Sequence, residues 1–394
     1  MHRDDFPQLV EHPSLIYLDS ANTSLKPQAV IDSVISTYTN YANVSRGSYS
    51  LSEDITKKFE DTRHLVAQLI NAQSDEIVFT HSTTYGINQI AYGISHLLNK
   101  DDIILLSIYE HNSNIVSWNA IAQSRNAKVV FFDPRIPLPD KYSDQVKILS
   151  LTAVSNLTGE CLPIKKILSE AQRMYPDIFT VVDACQAISK IAIDVRSLNV
   201  SALTFSSHKL YGPSGVGILY LSKTAQEQVR PTLLGSQAVE SYDDNKFTLK
   251  DTVAKFEPGT PNIEGVIGFG ASLRYLNSIN LKNLHSHDQR LTDYFNKKAR
   301  KLTLNKYILD TGLNGHAGLF SLQSEVHPHD IAAILDTKYS ISVRSGLMCS
   351  HHPALLFGSQ AGFIRASFGI YTNEKDIDAF LLAYSAILDR FGGR

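Results

Sequence analysis

The sequence predicts an α/β protein in which a large, mostly parallel sheet of seven strands is followed by a smaller α+β domain. Between residues 76 and 221, short apolar runs alternate with amphipathic stretches, the mark of strands joined by crossover helices. After a polar stretch at 237–253 and the punctuation Glu257-Pro258-Gly259-Thr260-Pro261, the pattern changes to separated strands and a closing helix. The expected division is a large domain over 15–265 and a small one over 266–394, with segment 1–14 packed near the latter.

Residues 27–41 and 52–70 carry apolar side chains at helical spacing, and Ser50-Leu51-Ser52-Glu53 ahead of the second fits a capping box. Strands are expected at 77–80, 103–107, 128–132, 146–154, 179–182, 202–206 and 215–221. Residues 237–253 read as a loop or small hairpin. Beyond them, strands are expected at 317–323, 341–345 and 363–368, and helices at 329–335 and 376–391. No internal repeat or low-complexity tract interrupts this order.

Composition narrows the class. With 43% hydrophobic and 19% charged residues, the 394-residue chain has the make-up of a soluble globular protein able to bury a substantial core. A net charge of −2 provides no broad attraction for nucleic acid or an anionic membrane, so a small-molecule substrate is expected. Only Cys161, Cys185 and Cys349 are present, too few for a disulfide framework and suited to a reducing compartment. The start MHRDDF lacks the apolar core of a secretory signal, and no stretch approaches the roughly 20 apolar residues of a membrane helix, so a cytoplasmic location is expected.

Two polar motifs stand at the carboxyl ends of consecutive expected strands. Asp183-Ala184-Cys185-Gln186 follows one and Ser206-Ser207-His208-Lys209 the next, with Lys209 26 residues beyond Asp183. That edge is where open α/β sheets bind ligands. A lysine amine forms a Schiff base with a carbonyl, and a carboxylate facing a pyridine nitrogen keeps it protonated so that the ring accepts electrons. Together they read as a pyridoxal phosphate (PLP) site, although either alone is ordinary strand-end polarity. Ser82-Thr83-Thr84-Tyr85-Gly86-Ile87-Asn88 adds amides and hydroxyls where a strand enters a helix, which suits a phosphate or simply a helix N-cap.

Read outward from Lys209, FSSHKLYGPSGVGILY at 205–220 resembles the lysine segment of class V aminotransferase-fold enzymes, specifically group II cysteine desulfurases related to selenocysteine lyases. The resemblance continues in family order through YLDSANTSLKP (17–27), VSRGSYSLS (44–52), STTYGIN (82–88), EHNSNIVSW (110–118), SNLTGECLP (155–163) and VDACQA (182–187). It closes with FEPGTPN (256–262), VRSGLMCS (343–350) and IRASFGIYT (364–372). It implies PLP-dependent fold type I, a homodimer, and conversion of L-cysteine to L-alanine. The sulfur would pass to a cysteine persulfide and then to an acceptor protein, as in iron–sulfur cluster assembly.

The same resemblance implies roles. Lys209 would carry the Schiff base and abstract the α-proton, Asp183 would hold the pyridinium, and His111 would stack on the ring and shuttle protons. Asn156 and Gln186 would contact the ring hydroxyl or Schiff-base region, and Thr83, Thr84, Ser206 and His208 the phosphate. Thr260 would reach the cofactor of the neighbouring subunit. Arg365 would hold the substrate carboxylate, with Arg344, Asn156 and Arg46 as further substrate contacts. Cys349 would take the sulfur, and its 16-residue spacing to Arg365 resembles group II. Cys161 and Cys185 read as buried inert thiols.

Some positions depart from the family pattern. Ser45 and Tyr49 stand where histidines are usual, Leu347-Met348 precedes Cys349 in place of two histidines, and His351-His352 follows it. The glycine-rich run after Leu234 is reduced to Gly235-Ser236-Gln237. The Cys349/His351/His352 and His327/His329 groups lack four converging ligands, so no metal is expected. Residues 212–217 resemble a dinucleotide loop but follow the wrong element order. The same fold also hosts selenocysteine lyases, aminotransferases and epimerases, and a non-catalytic scaffold is the remaining alternative.

Overall fold

The computed structural model describes residues 2–45, 47–142, 144–313 and 315–392. Among these, seven strands form the main sheet in the order Ile77–Thr80, Gly217–Leu221, Ala202–Ser206, Phe179–Asp183, Val146–Thr152, Ile103–Ser107, Lys128–Phe132. Gly217–Leu221 runs antiparallel to both its neighbours, and the other pairings are parallel.

The strands read as unbroken apolar runs because both faces of the sheet are covered. Leu105, Leu149, Leu151 and Leu203 enter one apolar core. Ile104, Leu106, Ile148 and Val181, one position away, enter the core on the opposite face. Each such fully buried side chain contributes roughly 1.5–3 kcal/mol relative to exposure. The edge strand Lys128–Phe132 is less buried and begins with an exposed lysine, which discourages pairing with a further strand. Gly217 brings the antiparallel strand against the start of the Thr83–Gly93 helix: a Cβ there would stand 2.5 Å from the Ser82 carbonyl carbon.

A second sheet of Leu319–Leu322, Phe363–Ser367 and Arg344–Gly346 is antiparallel and sets Arg344 directly opposite Arg365. Its apolar face packs with Leu291 and Phe295 of the Leu281–Lys301 helix and with Phe380 and Tyr384 of the closing Glu374–Phe391 helix. The N-terminal segment ties the two cores together. Ile16–Tyr17 pairs in parallel with Ile341–Ser342, while Phe6 is fully buried among the rings of Tyr211, Tyr275 and Tyr371.

Two local expectations are corrected or sharpened. The helix Ser50–Leu69 begins at Ser50, with Tyr49 as N-cap and no side-chain cap, so the capping box is not formed. Ser52 instead faces inward and donates its hydroxyl to the Asn43 carbonyl at 2.8 Å. The 237–253 stretch is a hairpin, Val239–Asp243 with Lys246–Leu249, turned at Asp244-Asn245, whose φ values of 41° and 61° suit these residue types. Among the described residues, no helix is long and apolar enough to cross a membrane.

Candidate active site

A cavity of about 230 Å³ opens at the carboxyl ends of the parallel strands and gathers Lys209, Asp183, His111, Cys349 and Arg344. Thr83, Thr84, Asn156, Gln186, Ser206 and His208 also line it.

Asp183 is the last residue of its strand, buried, and its Oδ1 accepts the Cys185 N–H at 2.9 Å. Burial raises its pKa, opposed by that hydrogen bond and by Lys209. Lys209 closes a single 3-10 turn whose carbonyl at His208 is pinned by the Ser24 N–H and hydroxyl, both at 2.9 Å, and by Lys26 Nζ at 3.2 Å. The amine therefore stands on a fixed base.

The phosphate-binding candidates surround a helix start. Ser82 caps the Thr83–Gly93 helix by accepting the Tyr85 N–H at 3.2 Å. Thr83 is committed to the wall: its N–H donates to Ser206 Oγ at 2.8 Å, and its hydroxyl lies 2.7 Å from that oxygen and 3.0 Å from Cys185 Sγ. Thr84 is exposed and remains open to the cavity.

His111 caps the Asn112–Arg125 helix, its Nδ1 accepting the Ser113 N–H at 3.1 Å. In the neutral ring the proton therefore sits on Nε2. Burial, with Lys209, Arg344 and Arg365 nearby, lowers its pKa to about 4, so the ring is neutral at neutral pH.

Cys349 is exposed, and both it and Met348 have φ of +57°. Two non-glycine residues in the left-handed region cost roughly 1–2 kcal/mol each. Contacts hold them there: Met348 is buried beside Leu157, Leu309 and Phe363, and Arg344 Nη2 donates to Cys349 Sγ at 3.2 Å.

Arg365 stands behind the cavity wall. It is fully buried, donating from Nη1 to the Asn156 carbonyl at 2.9 Å and reaching Asp19 Oδ1 at 3.5 Å, while its Nε has no partner. Burial lowers its pKa to about 10. Thr260 lies apart, in a separate surface cavity with His81, Tyr85 and Glu257. Arg46 lies outside the described residues.

Several wall residues escaped the sequence reading. Cys185 is not sealed away but lines the cavity, as its place two residues after Asp183 would have signalled. Asn22 and Ser113 lie in the segments 17–27 and 110–118 that carry the resemblance, which implied no role for them; the fold brings both to the wall. Cys161 is off the cavity wall, its thiol pushed up to about 11 by burial. The donor set fits PLP: a buried carboxylate for the pyridine nitrogen, a lysine amine for the aldehyde, and hydroxyls and helix amides for the phosphate. Among the described residues no cluster suits a metal ion.

The aminotransferase class-V family model matches residues 16–380. A probable cysteine desulfurase of Pyrococcus abyssi is 34% identical, the match covering 96% of this chain and 95% of that protein. A cysteine desulfurase of Wigglesworthia glossinidia brevipalpis is also 34% identical, over 99% and 98%. Among solved structures, an apo cysteine desulfurase from Thermococcus onnurineus superposes with a TM-score of 0.91 at 31% identity, covering 99% and 98% of the two chains. The Escherichia coli cysteine desulfurase CsdA gives 0.87 at 30%, covering 98% of each.

Proposed function

This chain belongs to the aminotransferase class-V family, and from that premise we propose that it is a PLP-dependent cysteine desulfurase. It converts L-cysteine to L-alanine and carries the sulfur on Cys349 to an acceptor. The observation that carries this reading is the convergence of Lys209, Asp183, His111 and Cys349 on one cavity.

The bound cofactor supplies an electron sink for bond breaking at the substrate's α-carbon. Around it, Asp183 presents a carboxylate to the pyridine nitrogen and keeps the proton there. Lys209 takes the α-proton on Nζ. His111, neutral, holds a proton on Nε2 for transfer. Thr84, Ser206 and His208 hold the phosphate. Arg344, on the wall, takes the substrate carboxylate with its planar fork, and Arg365 supports from behind. The Cys349 thiolate attacks the sulfur of the bound cysteine. An S–S bond forms, the C–S bond breaks with its electron pair left on the carbon fragment, and that fragment takes up one proton at Cβ and regains one at Cα from Lys209 to become alanine.

The 16-residue interval from Cys349 to Arg365 supports a group II assignment. Further parts of the reading are a two-domain division at 265/266, and a homodimer in which Thr260 reaches the neighbouring cofactor. The acceptor is a protein, in a cytoplasmic setting, and iron–sulfur cluster assembly is the process it serves.

The test is incubation of the purified protein with PLP and L-cysteine, scoring alanine and sulfide and mapping sulfur by mass spectrometry. Cys349→Ser is expected to keep the yellow cofactor and lose the persulfide. Desulfuration retained by that variant would overturn the role of Cys349.

A further inference from the structure

Residues 348 to 351 are held by two asparagines on different elements. From the inner side, Asn156 donates from Nδ2 to the Met348 carbonyl at 2.7 Å and accepts the Ser350 hydroxyl at 2.8 Å. From the outer side, Asn112, the first residue of the helix that His111 caps, donates its backbone N–H to the Cys349 carbonyl at 2.9 Å. The Asn112 side chain then turns to His351. Its Oδ1 accepts the His351 N–H at 3.1 Å, and its Nδ2 lies 2.7 Å from His351 Nδ1. Since Oδ1 is occupied by an N–H, the orientation of the amide is fixed. Nδ2 is therefore the donor and His351 Nδ1 the acceptor.

The two attachments differ in strength. The Asn156 pair is buried, where breaking a hydrogen bond leaves polar groups without water, whereas the Asn112–His351 pair is exposed and water replaces it readily. The turn between them stores strain at both Met348 and Cys349, and such backbone persists only while contacts over-determine it. An exposed, two-bond attachment on a strained turn is the element that opens first.

We propose that Asn112 is a positioning residue that, with His351, latches the Cys349 turn onto the helix carrying His111. Closed, the latch fixes the spacing of thiol and histidine for sulfur uptake. Open, it frees the thiol to leave the cavity for delivery. The inference rests on the reading of Cys349 as the sulfur carrier. It assigns a partner to the departure at His351, which the sequence alone left without a role.

The test uses PLP-loaded protein without substrate and follows iodoacetamide alkylation of Cys349 by mass spectrometry. Asn112→Ala and His351→Ala are each expected to speed alkylation about three- to tenfold, the range one or two exposed hydrogen bonds supply, with the cofactor absorption band unchanged. The double variant is expected to be no faster than the quicker single variant, because both remove one shared contact. His352→Ala, whose ring stacks on Phe131 outside the latch, is expected to match the parent. Unchanged rates in both single variants, or effects that multiply in the double, overturn the latch. Should Asn112→Ala not fold, His351→Ala at its exposed position decides the same question. Persulfide on parent Cys349 after L-cysteine is scored in parallel: its absence defeats the desulfurase reading, while the alkylation rates judge the latch independently.

Discussion

Arg344 and Arg365 are cross-strand partners in the small sheet, yet Arg344 reaches the cavity and bonds Cys349 Sγ at 3.2 Å while Arg365 is sealed behind the wall. Like charges directly opposite each other repel. Here each is drawn to a different partner: Arg344 to the Asn22 side chain and the sulfur, Arg365 to Asp19 and the Asn156 carbonyl.

The Arg344 fork therefore orients the Cys349 sulfur by a direct hydrogen bond. Arg344→Ala is expected to reduce the rate of persulfide formation roughly tenfold, by about 1.4 kcal/mol of lost orientation of the sulfur and the substrate carboxylate. Arg344→Lys keeps the charge but not the fork, and should fall between. Equal rates in all three proteins would show that the contact does not orient the sulfur.

Arg365 has a different task on this geometry. Removing it leaves Asp19, whose pKa burial already raises, without its compensating cation. Arg365→Ala is expected to lower stability in urea unfolding by about 3–5 kcal/mol, the range for breaking a buried pair. Arg344→Ala, at a more accessible position, should cost less than 1 kcal/mol or so. The reverse ranking would mean that the sealed arginine contributes little to the fold.

The pH dependence of stability in the cofactor-free protein follows from groups shifted in opposite directions. His111 and His208 are both lowered to about 4, chiefly by burial and then by Lys209. Their free value lies near 6.5, so the unfolded chain takes up protons that the folded one refuses, and stability falls as pH drops through that window. His285, His287 and His316 shift the same way, again through burial. Glu110 is raised to about 8 by burial, so its contribution is full below the free value near 4.5 and is lost between there and about 8, with no further change above. Urea midpoints measured from pH 4 to 9 should rise to about 6.5 as the histidines lose their protons, decline from there to about 8 with Glu110, and stop declining above 8, where Lys26, lowered to about 8 by burial, acts in the opposite direction. A midpoint that rises steadily from 6.5 to 8 would contradict the Glu110 part.

The strands were readable because a sheet covered on both faces prints unbroken apolar runs, as at Ile103–Ser107. Asp183 and Lys209 followed because each strand end places its next polar residue at the ligand-binding edge. The Leu281–Lys301 helix was not anticipated: its charged and amide residues mask a narrow apolar stripe that includes Leu291, Phe295 and Ala299. Contacts such as Asn112 with His351 join positions 239 apart, and neither residue type carries a pattern that announces the other. The capping box failed because the helix starts one residue early: with Tyr49 as N-cap, Ser50 is already inside the first turn.

Glu110 offers the sharpest check on the scaffold behind the site. Its Oε1 accepts the Ser107 hydroxyl and, at 2.8 Å, the Thr152 N–H, while Oε2 accepts Asn114 Nδ2 at 2.6 Å. Asn114 cannot turn over, because its Oδ1 already accepts the Trp118 indole N–H at 2.8 Å and the Ser150 hydroxyl at 2.7 Å. The Ser107 hydroxyl can turn to accept the carboxyl proton, but the other two partners of Glu110, the Thr152 N–H and Asn114 Nδ2, are donors only. In Glu110→Gln the new NH2 must face either the Thr152 N–H or the Asn114 amide, donor against donor. That mismatch in a fully buried place is expected to cost about 1–3 kcal/mol in urea unfolding. The same substitution removes the group that titrates near 8, so the decline of stability between about 6.5 and 8 should flatten while the histidine-driven acid decline stays. A Glu110→Gln protein as stable as the parent, with the decline between 6.5 and 8 intact, would show that this carboxyl neither holds the His111 helix to the sheet nor causes that decline.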